Sequence, residues 1–129
     1  MGDDSEHHIQ CSLVRYLTEN ARPEIFWATV PNGGLRNQRV AQKLKAEGLK
    51  PGVADMFFML PHGRVAWLEL KTRTGQLSDH QHGFKTRCRE LGHLWAMARS
   101  VEEAIPHLAA WNVLTQGAAR RAASEVAHV

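Results

Sequence analysis

Apolar residues at Ile9, Leu13, Val14 and Leu17 recur at helical spacing, predicting an amphipathic helix over residues 5–19 that ends at Asn20, ahead of Pro23. Residues 24–30 are rich in β-branched and aromatic side chains and predict a strand, stopped by the turn signal Pro31-Asn32-Gly33-Gly34. Helical spacing returns over residues 35–47, where Val40 and Leu44 lie among basic residues and Gly48 is placed to close the helix. Beyond Pro51-Gly52 come the two clearest strands, residues 53–60 and 64–71. Pro61-His62-Gly63 joins them, so an antiparallel hairpin is expected. The run 56–60 is apolar at every position, as in a strand covered on both faces.

Ser78 and Gln81 make a capping-box pattern that opens a helix to Leu91, with Gly92 as its stop. Residues 93–98 predict a short apolar strand, and Ser100 with Glu103 opens a further helix through about Trp111. From Thr115 onward the chain is Ala-rich, with Arg120 and Arg121, and both a helix and a disordered tail stay open. The strand 64–71, its helix and the strand 93–98 suit a right-handed parallel crossover. The expected fold is one α/β domain over residues 1–114, a mixed β-sheet flanked by helices, followed by a tail at 115–129.

A chain of 129 residues fits a single domain, and 43% hydrophobic residues suffice for a core. No apolar run reaches the roughly 20 residues that span a bilayer. The opening ten residues are acidic and polar, unlike a signal peptide, so a cytoplasmic location is expected. Cys11 and Cys88 share no motif spacing and are read as reduced thiols in or near the core. The net charge of +3 permits a nucleic-acid partner without demanding one. Its distribution says more. Arg36, Arg39, Lys43, Lys45 and Lys50 are opposed only by Glu47, and Lys71, Arg73, Lys85, Arg87 and Arg89 form a second group. Two solvated helix faces would give the same pattern.

Candidate chemistry gathers in the hairpin. Asp55 near the start of one strand and Glu69 near the end of the next fall at the same end of the sheet. Glu69 and Lys71, two residues apart, project from one face of their strand. Such a set suits phosphodiester hydrolysis: hard oxygen ligands hold a hydrated Mg²⁺, and an ammonium orients water or stabilises the phosphate in its transition state. A strand end with a surface ion pair would look similar. Against that, Glu69 sits in the apolar stretch Val65-Ala66-Trp67-Leu68-Glu69-Leu70, where a charge is costly unless paired or metal-bound.

Pro51-Gly52-Val53-Ala54-Asp55 followed by Glu69-Leu70-Lys71 resembles the PD-(D/E)XK nuclease signature, with Gly52 near the usual proline position. A wider ordered set adds Pro31-Asn32-Gly33-Gly34, Arg36, Ala41-Gln42-Lys43-Leu44-Lys45, Gly48, Leu77-Ser78 and Gln81. Together these resemble the virus-type replication-repair nuclease domain, VRR-NUC, in its compact stand-alone form, over about residues 5–109. The resemblance implies that Asp55, Glu69 and the Leu70 carbonyl are ligands of Mg²⁺ or Mn²⁺, and that Lys71 is the catalytic lysine. It also points to Glu6, reaching the metal directly or through water, to Gln10 on the first helix, and to Gln81 near phosphate or the metal-bound water. Glu6 is equally a favourable acidic residue in a first helical turn, and Gln81 equally a capping-box member. Compact members of this family are associated with cleavage of branched DNA, including four-way junctions, as homodimers. Asn32, Arg36 and Arg39, after the turn, are candidate phosphate contacts, as is Arg73; a solvated turn and helix face is the alternative for the first three.

His7-His8 and His80-x-His82 lack zinc-site spacing and partners and are read as surface or hydrogen-bonding histidines. Trp27, Trp67, Trp95 and Trp111 are expected in the core or at a dimer contact. Gly33-Gly34 lacks a Walker pattern, so no nucleotide cofactor is expected.

Overall fold

The computed structural model describes residues 5–31 and 38–127. The predicted sites Asn32 and Arg36 lie outside the described residues. Helix α1 is Glu6–Asn20, and Ser5 caps it by accepting the His8 N–H at 3.0 Å. Strand β1 (Phe26–Thr29) and helix α2 (Gln38–Ala46) follow. Strands β2 (Met56–Met59) and β3 (Val65–Leu70) form the expected hairpin across a tight 3-10 turn at Pro61–Gly63. Helix α3 (Asp79–Glu90), strand β4 (Leu94–Ala98), helix α4 (Val101–Ala110) and helix α5 (Gln116–Ala127) complete the order.

The sheet runs β1-β2-β3-β4, with β1 and β3 antiparallel to β2, and β4 parallel to β3. It is therefore the mixed sheet that the patterning predicts. On one face, Met56, Phe58, Ala66, Leu68, Leu70, Ala96 and Ala98 meet Ile9, Leu13 and Leu17 of α1 and Ala104 and Leu108 of α4. Burying these side chains supplies the main favourable free energy of folding.

The region beyond Thr115, for which the sequence allows either a helix or a disordered tail, is helix. Ala118 is buried in the same core, the Thr115 N–H donates to the Asn20 carbonyl at 2.9 Å, and Arg121 Nη2 donates to Asn20 Oδ1 at 3.0 Å.

The other face is only half covered. Helix α3 lies over β3 and β4: Phe84 meets Trp67 edge-on at 5.0 Å, Lys85 Nζ sits 4.8 Å from the Trp95 ring centre, and Cys88 is buried. Trp67 Nε1 also donates to His93 Nδ1 at 2.8 Å. Over β1 and β2 the described residues leave this face open, with Phe26 58% and Met59 52% exposed. The expectation that residues 56–60 are covered on both faces is thus wrong for Met59. Apolar composition reported a buried alternate set, Met56 and Phe58, and could not tell whether a helix also covers the intervening positions.

Cys11 also departs from its near-core expectation. It lies on the exposed side of α1, off the stripe of Ile9 and Leu13. Cys88 fits the expectation, and burial pushes its thiol up to about 11. Among the described residues, no helix is long and apolar enough to cross a membrane.

Candidate active site

Strand β2 is shorter than predicted because the site begins where the strand ends. Met56 pairs with Leu68, so the next step in register sets Asp55 across from Glu69. The Leu70 N–H donates to the Asp55 carboxylate, Oδ2, at 2.7 Å. A side chain therefore takes the donor a longer ladder would use. Main-chain pairing to β1 persists on the other side, where the Val30 N–H donates to the Asp55 carbonyl at 2.8 Å.

Asp55, Glu69 and Lys71 are the buried charged side chains among the described residues, at 5%, 2% and 8% exposure. Burial is the largest influence on Glu69 and pushes its carboxyl up to about 8. The facing Asp55 charge raises it further, as does a hydrogen bond the two carboxyls share; Glu6 adds a smaller push, and Lys71 acts the other way. With both carboxyls ionised in low dielectric, the one ammonium beside them would leave negative charge undercompensated. A hard divalent cation would correct that deficit, so the donor set fits Mg²⁺ or Mn²⁺.

Gln81 is the capping-box member the sequence allows, and it also makes a contact that was not foreseen. Its Oε1 accepts the Ser78 N–H at 2.9 Å while its own N–H donates to Ser78 Oγ at 3.2 Å, completing the capping box of α3. Its Nε2 donates to Glu69 Oε2 at 3.1 Å. The start of α3 is thus tied to β3 by one amide.

Gly52 explains how that helix start comes so near. It has φ +91°, and a Cβ there would lie 2.3 Å from the His80 carbonyl oxygen. The Pro51-Gly52 turn and the first turn of α3 touch backbone to backbone, as only glycine allows.

The remaining predicted residues are more dispersed. Glu6 lies half-buried in the first turn of α1, near enough for its charge to act on Glu69. No group of three His, Cys, Asp or Glu side chains suited to a metal forms among the described residues; the carboxyls that meet are those of Asp55 and Glu69. Gln10 is half-buried on α1, and Arg39 is exposed on the first turn of α2, a helix with no buried residue. Arg73 is exposed in the segment after Lys71, and lines a polar cavity of about 340 Å³ with His8, Ser12, Arg99 and Glu102.

The second basic group is not one surface. Lys71 is buried, Lys85 covers Trp95, and Arg87 pairs with Glu90 at 3.5 Å. Arg99 was not singled out by sequence because it reads as the residue before a helix cap. Its position at the end of β4, beside Lys71, is visible only once the strands are paired.

The mixed sheet, its flanking helices and the carboxylate pair with a lysine two residues on define a PD-(D/E)XK-like α/β fold. The chain is similar to a solved structure described as "VRR_NUC domain", with a TM-score of 0.54 at 19% identity over 79% of this chain and 95% of that one. Its fold is that of a VRR_NUC domain. No family model matches the sequence, and no curated protein matches it.

Proposed function

We propose that this chain is a Mg²⁺- or Mn²⁺-dependent endonuclease that hydrolyses phosphodiester bonds of structured DNA, branched or four-way junctions above all, as a homodimer. The observation that carries the reading is the burial of Asp55, Glu69 and Lys71 together at one sheet end. Such a placement disfavours the folded state, and a site for a cation and a phosphate gives it a purpose.

Asp55, Glu69 and the Leu70 carbonyl would hold the cation, with Glu6 reaching it directly or through water; the ion supplies charge neutralisation and a more acidic bound water. The protein's own groups do the rest. The Leu70 N–H fixes the Asp55 carboxylate, and the Gln81 amide fixes one Glu69 oxygen. The Lys71 ammonium places positive charge where the phosphate gains negative charge, and it orients the attacking water. Gln10, Asn32, Arg36, Arg39 and Arg73 contact phosphates away from the bond that breaks. A two-fold dimer presents two such sites, which suits paired nicks in a symmetric junction.

The test is cleavage of labelled four-way junction, flap, single-stranded and linear duplex DNA in Mg²⁺, Mn²⁺ or EDTA, beside Glu69→Ala, with the oligomeric state measured by sedimentation. Paired symmetric nicks, abolished by EDTA and by the substitution, are expected from a dimeric protein. Cleavage of another substrate instead, RNA included, keeps the site and discards the junction. Salt-sensitive DNA binding with no metal-dependent cutting would overturn the enzyme and leave a binding module.

A further inference from the structure

The segment after Lys71 is fastened from outside its own strand. A single guanidinium nitrogen, Arg99 Nη1, donates to the carbonyl oxygens of Thr72 at 2.6 Å, Arg73 at 3.1 Å and Gly75 at 2.6 Å. The turn is also closed on itself, since the Gly75 N–H is shared between Thr72 Oγ1 at 3.0 Å and the Thr72 carbonyl at 3.2 Å. Arg99 has its own anchors. It follows β4 directly, its N–H donates to Glu103 Oε1 at 2.8 Å, and the carbonyl of the preceding Ala98 accepts the Lys71 N–H at 3.0 Å.

This turn forms a wall against the Lys71 side chain. A Cβ placed on Gly75 would be 3.5 Å from Lys71 Cδ, so the alkyl stem runs directly past that backbone. Lysine has a flexible four-carbon stem, and its ammonium stays in one place only when the stem is confined. Arginine suits the clamp because its guanidinium is always charged and planar, and the two hydrogens of Nη1 can be shared among the three carbonyl oxygens.

We propose that Arg99 is a positioning residue: by tying the 72–75 turn to the end of β4, it confines the Lys71 stem and holds the ammonium at the Asp55–Glu69 pair. The proposal rests on the nuclease function proposed for this site. Arg99 acts through the turn and then through Lys71, so its loss falls on the chemical step rather than on DNA affinity.

The test compares the full chain with Arg99→Met, Arg99→Lys and Thr72→Val in three measurements. These are the cleavage rate at saturating DNA, the Kd for the same DNA in EDTA, and hydrogen exchange at the Gly75 amide. Arg99→Met is expected to lower the rate by about tenfold or more through misplacement of Lys71. Its Kd should move by less than about threefold, because Arg73 is the one proposed phosphate contact in the turn and the others, Gln10, Asn32, Arg36 and Arg39, lie on other segments. Gly75 exchange should accelerate, and Arg99→Lys, with three donors of its own, should recover part of the rate. Thr72→Val removes one acceptor for the Gly75 N–H and leaves Arg99 in place; a reduced rate is expected, which keeps the test open should Arg99→Met not fold. Wild-type rates in Arg99→Met or in Thr72→Val would overturn the proposal. So would a rate and a Kd that worsen together. A wild-type chain that cuts no DNA would instead overturn the nuclease function itself.

Discussion

Replacing Glu69 by Gln is expected to make the protein more stable and inactive at once. Glu69 is 2% exposed, and its carboxyl is raised from 4.5 to about 8, first by burial and then by Asp55. Between those values the folded state holds a proton that the unfolded state has released, so stability falls as pH rises from 4.5 towards 8. Each tenfold change in proton affinity is worth about 1.4 kcal/mol, which puts the full penalty near 5 kcal/mol above pH 8. Gln is nearly the same size and carries no charge, but its amide must still be desolvated, so a gain of about 2–4 kcal/mol is expected at pH 8. At pH 5, where Glu69 is protonated when folded, the gain should nearly vanish. Urea unfolding in EDTA at both pH values, followed by tryptophan fluorescence, measures this as a midpoint shift of about 1–2 M at the higher pH. An advantage of the Gln variant that is the same at pH 5 and pH 8 would refute the reasoning, because it would show that Glu69 carries no buried charge to relieve.

Three further outcomes follow from the same geometry. Mg²⁺ or Mn²⁺ should raise the melting temperature of the wild type more at pH 8 than at pH 5.5, since a cation must displace the Glu69 proton; Glu69→Gln should lose most of that response, as scanning calorimetry would show. Gly52→Ala should cost about 2 kcal/mol or more, because its Cβ would meet the His80 carbonyl at a positive φ. It should also displace Gln81 and slow cleavage, whereas a fully stable and active Gly52→Ala would contradict the packing described. His93→Ala should cost about 1–2 kcal/mol by leaving the half-buried Trp67 Nε1–H without its acceptor; cleavage by the folded variant should stay near wild type, read from urea midpoints and a standard cleavage assay.

Much of the fold was legible because three of the helices carry their own boundary chemistry. Ser5, Ser78 and Ser100 all cap helices where the patterning places the starts, and the parallel crossover from β3 to β4 follows from strand, helix and strand in order. The core motif was legible for a different reason. Glu69 is a charge in an apolar strand, a local contradiction that stands out in the amino-acid order alone. What sequence could not supply is anything that depends on which elements meet. Met59 looks like its buried neighbours until α3 is seen to cover only β3 and β4. Arg99 looks like a residue before a helix until β4 pairs with β3 and brings it beside the turn after Lys71.

Gly52 joins the two kinds of information. As a turn residue it was expected, but its contact with His80 shows that the turn also sets how near α3 comes to β3. Gln81 can reach Glu69 only at that separation, since the amide spans from the helix cap to the carboxylate with one hydrogen bond at each end. The site is therefore held from three directions: by Leu70 through its N–H on Asp55, by Gly52 through the approach of α3, and by Arg99 through the turn behind Lys71. None of the three needs to touch substrate. Each keeps charged groups at separations that an unconstrained chain would relax, which is why the site can carry an undercompensated pair of carboxyls without unfolding around it.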